Sequence, residues 1–262
     1  MSRYALLIEY NGAPFVGWQR QASGLSVQEV VEQAAGKLAG GAPVSTIVAG
    51  RTDAGVHAAG QVAELTMPKE FPLNRLRDAL NFHMKPHPVS VLRAARAVEG
   101  WNARFSATRR TYRYSILNRR ARPALGVGRV WHVPGPLDEE LMALAAAMLL
   151  GRHDFTSFRA SACQARSPVK TLDRLEVTRD DEIIAIVAEA RSFLHHQVRN
   201  IVGTLRLVGD GSWPVERVAS ALAARDRTAA GPTAPACGLL LEGVAYPEDP
   251  FAPEAERKLP RP

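Results

Sequence analysis

The chain has 262 residues, of which 46% are hydrophobic, enough to bury the core of one large domain or two closely joined ones. Its formal net charge is +7, and 28 of the 33 basic residues are arginine against five lysines. No apolar run approaches the roughly 18 residues that a membrane span needs. Two distant cysteines, Cys163 and Cys237, make no disulfide framework and fit a reducing compartment.

Residues 4–10 read as an apolar strand, and Met1-Ser2-Arg3 runs straight into it, so no secretory signal is expected. Ser26 and Glu29 form a capping-box pattern ahead of Val27, Val30, Val31, Ala34 and Leu38 at helical spacing. Residues 44–48 and 60–65 read as two further strands. Leu73, Leu76, Leu80 and Phe82 suggest a second helix, and residues 88–98 include a strand. The order is β-α-β-β-α-β, the split unit of ferredoxin-like folds.

The second half repeats that order approximately. Residues 111–117 are strand-like, and Asp138 caps a helix carrying Leu141, Leu144, Ala145, Met148 and Leu149. Residues 169–178 and 183–190 predict a hairpin turning at Asp180-Asp181. Val198, Ile201, Val202, Leu205 and Val208 line one face of another helix. A last helix at 215–224 precedes a strand at 239–244. The expected organisation is α+β: an N-terminal α/β unit over 1–103, a C-terminal α/β unit over 104–247 and a surface tail over 248–262.

Charge is concentrated. Residues 102–136 contain no Asp or Glu but eight arginines: Arg104, Arg109, Arg110, Arg113, Arg119, Arg120, Arg122 and Arg129. Such a field attracts a polyanion, and arginine's planar fork suits phosphate and base stacking. A solvated basic face is the plainer reading.

The segment Gly50-Arg51-Thr52-Asp53-Ala54-Gly55-Val56-His57-Ala58 lies between two predicted strands. Glycines and small residues surround one carboxylate. Arg51 and Asp53 are two apart, so they share a face in extended geometry or form an ion pair in a loop. An ionised carboxylate in a shielded pocket serves as nucleophile or general base without metal or cofactor. A turn aspartate accepting backbone hydrogen bonds is the alternative. His57 either satisfies a local hydrogen bond or contacts substrate.

In Arg109-Arg110-Thr111-Tyr112-Arg113-Tyr114, strand geometry turns the two tyrosines one way and Thr111 and Arg113 the other. An aromatic among arginines either stacks on a base or packs at a half-buried sheet face. Gly17-Trp18-Gln19-Arg20-Gln21 is a polar loop. Phe193-Leu194-His195-His196-Gln197-Val198-Arg199-Asn200 leads into a helix whose N–H groups, with Arg199, favour an anion. No H-E-x-x-H or C-x-x-C occurs, so no metal is expected.

At these residues the sequence resembles the tRNA pseudouridine synthase A family. The resemblance rests on residues 17–21, 50–58, 103–107, 112–114, 154–159 and 193–203, and on Ala234-Pro235 with Gly238-Leu239; it covers about residues 3–247. It implies a pseudouridine synthase fold: two ferredoxin-like-related α/β units sharing a largely antiparallel sheet around a basic cleft. It implies a cytoplasmic homodimer, with no cofactor, that isomerises uridines thirty-eight, thirty-nine and forty of the tRNA anticodon stem-loop. The family's catalytic aspartate falls on Asp53, its tyrosine beside the base on Tyr112, and the arginine that pairs with the aspartate on Arg51. Arg20, His57, Arg109, Arg110 and Arg199 are the expected substrate-binding residues. Two departures are Gln197, where the family often has methionine, and Leu240, where it often has tyrosine.

Three rival readings stay distinguishable. A non-catalytic RNA-binding module would bind RNA and leave it unchanged. A synthase for another RNA site would keep Asp53. A metal-free glycosidase would need a second carboxylate, which the loop lacks.

Overall fold

The computed structural model describes residues 1–252 and has a mixed α/β architecture. In chain order the elements are β1 (Ser2–Tyr10), α1 (Val27–Leu38), β2 (Thr46–Val48), β3 (His57–Met67), α2 (Leu73–Met84), β4 (Val89–Arg96), β5 (Arg109–Asn118), β6 (Trp131–Val133), α3 (Glu139–Ala147), β7 (Gly151–Asp154), β8 (Val169–Asp180), β9 (Ile183–Ala190), α4 (Gln197–Gly209), α5 (Arg217–Ala224) and β10 (Leu239–Ala245). They fall into two compact units, Met1–Arg110 with the chain from Leu241 onward, and Thr111–Leu240. No helix among the described residues is long and apolar enough to cross a membrane.

The unit boundaries differ from those expected. The first break comes after Arg110 because residues 101–110 are bonded into the first unit. Thr108 N–H donates to the Ala245 carbonyl (2.9 Å), and Ala103 packs in a core with Ala5, Val62 and Trp101. Phe251, expected on a surface tail, is buried in that same cluster. Residues 253–262 of that tail lie outside the described residues.

In the first unit the strands run β4-β1-β3-β10, with β2 paired to β3. β1 is antiparallel to both neighbours, Leu6 lying opposite Ala63 on β3 and Ala94 on β4. Tyr4, Leu6 and Ile8 alternate along β1 and are fully buried. Against this sheet face the helices bring their stripes, Val27, Val30, Val31 and Ala34 of α1 and Leu76, Leu80 and Met84 of α2. Burying each large aliphatic side chain contributes about 1.5–3 kcal/mol. Ser26 accepts from Glu29 N–H and caps α1, as its sequence signature predicts. Phe82 is the exception, 68% exposed: at two residues beyond Leu80 it points to the opposite side of α2.

In the second unit the strands run β5-β9-β8-β7, with β6 parallel to β5. β8 and β9 form the predicted hairpin, and Asp181 takes the left-handed turn position (φ 50°). α4 buries all five of its predicted apolar residues. Asp138 caps α3 through Leu141 N–H, as expected. The buried face of that helix is Met142, Ala145 and Ala146, whereas Leu141 and Leu144 are exposed. An almost uniformly apolar helix carries no stripe in its sequence, so its neighbours choose the face. The short strands β6 and β7 were not anticipated; three- and four-residue segments give too little alternation to read.

Candidate active site

Asp53 lies in the first unit, in the irregular segment between β2 and β3. Burial alternates along this extended stretch: Arg51 is exposed, Thr52 buried and Asp53 half-buried. Thr52 therefore anchors the segment while Arg51 and Asp53 face away from the core. Three groups of contacts fix the loop backbone. Gln61 Nε2 donates to the Gly50 carbonyl (2.7 Å). The Tyr10 hydroxyl lies 2.7 Å from Thr52 Oγ1. The loop after β1 grips the other side: Trp18 N–H donates to the Thr52 carbonyl (3.0 Å) and Gly55 N–H to the Phe15 carbonyl (3.3 Å).

Two glycines let the two loops touch. A Cβ on Gly17 would lie 2.7 Å from the Thr52 carbonyl oxygen, and one on Gly12 would lie 2.0 Å from that of Val56. Gly17 also has φ 109°, a backbone region that side chains rarely enter. The Gly17-Trp18 motif is thus a backing plate for the aspartate loop, with Trp18 buried against the Tyr10 ring (6.0 Å between centroids).

The other expected residues of this unit sort by burial. Arg51 is exposed, and no ion pair joins it to Asp53 among the described residues. The expected pairing is corrected on this point: backbone hydrogen bonds and glycine packing hold the loop, and the guanidinium projects to solvent. His57 is buried and its Nδ1 accepts from Gly12 N–H (3.1 Å). Arg20 is exposed, 3.6 Å from Glu32, and its N–H donates to Gln28. Arg109 is exposed at the start of β5. Arg110 is only 7% exposed, and its guanidinium donates to the carbonyls of Ala49 (2.7 Å), Arg104 (2.8 Å) and Ala107 (3.3 Å). That corrects its expected place on an RNA-facing surface: it braces the chain one residue before the aspartate loop. Sequence alternation alone offered the hint, since Arg110, Tyr112 and Tyr114 share one strand face.

In the second unit Tyr112 is buried on β5, its ring edge-on to Phe193 at 5.2 Å and 90°. An aromatic pair of this kind contributes about 0.5–1.5 kcal/mol and fixes the ring plane. Tyr114 is fully buried, donates its hydroxyl to the Pro235 carbonyl (2.8 Å) and packs on Trp131, so it belongs to the core. Burial pushes its phenol pKa well up. α4 begins after His196 in the left-handed region (φ 62°), with no side chain capping it from that position. Arg199 Nε donates to the Ala234 carbonyl (2.8 Å), which anchors its stem one turn from that helix start. Gln197, at the departure from the family pattern, is buried: its Oε1 accepts from Leu194 N–H (2.8 Å), and its Nε2 has no hydrogen-bond partner among the described residues. Leu240, the other departure, is half-buried at the start of β10.

The family model for tRNA pseudouridine synthase matches residues 145–247. Over nearly the whole chain, 66% of residues are identical to those of tRNA pseudouridine synthase A from Acidiphilium cryptum (252 residues aligned, 96% of this chain and 99% of that protein). The chain belongs to the tRNA pseudouridine synthase A family. The Paramagnetospirillum magneticum and Gluconobacter oxydans members are 61% and 56% identical over 246 and 253 residues, covering 94% and 96% of the chain and 96% and 92% of those proteins. As a member of the tRNA pseudouridine synthase A family, the chain is a tRNA-modifying isomerase. Family membership leaves Tyr10, Gln61 and Gly12 without a motif of their own. Each is distant in sequence from the residue it supports, so only the fold reveals the partnership.

Proposed function

We propose that the chain isomerises uridine to pseudouridine at positions thirty-eight, thirty-nine and forty of the tRNA anticodon stem-loop, with Asp53 as the catalytic carboxylate. The observation that carries this is the build of the aspartate loop. Its backbone is clamped from both sides while Asp53 itself is only half-buried, the arrangement that a preorganised catalytic group requires.

The reaction breaks the bond from ribose C1′ to uracil N1, turns the ring and joins C5 to C1′. The C5 proton leaves and N1 gains one, so atoms and charge balance and no redox group enters. The target uridine must first leave its stack, at a cost of a few kcal/mol. Asp53 then acts as nucleophile at C1′ or C6, or as base at C2′; all three uses need the ionised carboxylate. Tyr112 is assigned to stack on the base, an interaction worth about 1–3 kcal/mol. Its ring orientation, set by Phe193, supports that assignment. Arg20, Arg51, Arg109 and Arg199 are assigned to phosphates or to the place left by the flipped nucleotide. His57 and Arg110 brace the site. The reading takes over the family's shared sheet and basic cleft, its ferredoxin-like kinship within each unit, and a cytoplasmic homodimer working without cofactor.

Incubation with unmodified tRNA, followed by nucleotide-resolution mapping of pseudouridine, tests the assignment. The expected product appears at the three named positions and nowhere else. Asp53→Asn keeps the fold and tRNA binding and abolishes turnover. Single-turnover product from purified D53N would defeat the role given to Asp53.

A further inference from the structure

Beneath the aspartate loop lies a polar cluster in a place where apolar packing would suffice. Tyr10, Thr52 and Gln61 are all buried, Gln61 completely. The hydroxyls of Tyr10 and Thr52 are 2.7 Å apart. Gln61 Nε2 donates to the Tyr10 oxygen (3.3 Å) and to the Gly50 carbonyl (2.7 Å), while its Oε1 accepts from Val62 N–H (3.2 Å). A buried polar network stabilises one geometry only when every member is satisfied. Here both ends of the amide are occupied, and each hydroxyl has a partner.

We propose that Tyr10 and Gln61 are positioning residues for Asp53, acting through Thr52 and Gly50. The inference rests on the reading of Asp53 as the catalytic carboxylate. Thr52 immediately precedes Asp53, and Gly50 lies three residues before it. The Tyr10 hydroxyl fixes the Thr52 side chain, and with it the peptide plane that leads into Asp53. Gln61 fixes the carbonyl at the start of the same extended stretch. With both bonds present, the Asp53 Cα has one place and its carboxylate one approach to the sugar. Gln61 is completely buried and Tyr10 is 4% exposed, and the groups they bond are Thr52 and Gly50 of the aspartate loop.

The test uses full-length protein and unmodified tRNA, with kcat, KM and thermal midpoint measured for Tyr10→Phe, Thr52→Val, Thr52→Ser and Asp53→Asn. Thr52→Val removes the Tyr10–Thr52 hydrogen bond, and Tyr10→Phe removes that bond together with the one from Gln61, each with little change in volume. Each is expected to lower kcat about tenfold, since a sub-ångström misplacement is costly to chemistry, with KM unchanged. Combining the two gives no further loss. Thr52→Ser, which restores the hydroxyl, recovers most of kcat. A purely packing role predicts instead that kcat follows the thermal midpoint and that Thr52→Ser is no better than Thr52→Val. That pattern, or wild-type kcat in both Tyr10→Phe and Thr52→Val, overturns the inference. If D53N is inactive while those two variants keep full kcat, the positioning role alone fails. If D53N turns over, the role of Asp53 fails, and the positioning role with it.

Discussion

Gly17→Ala gives the sharpest test of how the aspartate loop is held. The added methyl would sit 2.7 Å from the Thr52 carbonyl oxygen, 3.1 Å from the Asp53 carbonyl carbon and 3.2 Å from Ala54 N. Ordinary contact begins at 3.4 Å, so 3.4 minus 2.7 leaves a retreat of about 0.7 Å for one loop or the other. Neither has slack. Gly17 is tied to α1 through its carbonyl, which accepts from Val27 N–H (3.1 Å), and Thr52 is tied to Tyr10. The displacement therefore reaches Asp53. A misplacement of about 1 Å costs about a hundredfold in rate, so kcat is expected to fall about 10- to 100-fold.

A side chain at φ 109° adds backbone strain of about 1–3 kcal/mol, and each kcal/mol lowers the thermal midpoint by about 2–4 °C in a chain of this size. Release of tritium from C5-tritiated uridine in tRNA measures turnover directly, because that hydrogen leaves as the new bond is completed. Gly243→Ala is the control. Among the described residues, none beyond its chain neighbours lies within 4 Å of the position its Cβ would take, and the residue has no positive φ. A folded G17A protein with turnover within about twofold of wild type would refute the claim that loop contact places the carboxylate.

Two further outcomes follow from buried groups. Arg110→Met keeps the stem but strips three carbonyls of a charged partner, each such bond being worth about 1.5–3 kcal/mol, so stability should fall by about 3 kcal/mol or more. Calorimetry should show the midpoint down by about 6 °C or more, and a shift below about 2 °C would remove Arg110 from its bracing role. The phenol of Tyr10 is pushed up to about 12 by burial, against an ordinary value near 10 in the unfolded chain. A raised pKa contributes stability that is complete below about pH 10 and is lost as pH climbs through about 12, at about 1.4 kcal/mol per pH unit. Urea midpoints at rising pH should therefore fall more steeply for wild type than for Tyr10→Phe, and parallel curves would refute the raised pKa of Tyr10 in the folded protein.

Much of the fold was legible because local patterns left few choices. The stripes of α1 and α4, the cap at Ser26 and the hairpin at Asp181 all follow from side-chain spacing and turn chemistry that operate within a few residues. The proposed roles of Asp53 and Tyr112 come from family motifs. Phe82 and the exposed leucines of α3 depart from their sequence pattern because an apolar residue states a preference for burial, whereas the number of neighbours available decides whether burial happens.

Sequence by itself determined the order of elements, the basic stretch over residues 102–136, the aspartate loop and, by resemblance, the family. Tertiary structure alone decided that Arg110 turns inward, that Arg51 is exposed to solvent, and that Tyr10 and Gln61 meet beneath Thr52. The physical reason is range. Hydrogen-bond patterns within a turn are written in adjacent residues, but a guanidinium or phenol finds its partner only after strands far apart in the chain have come together.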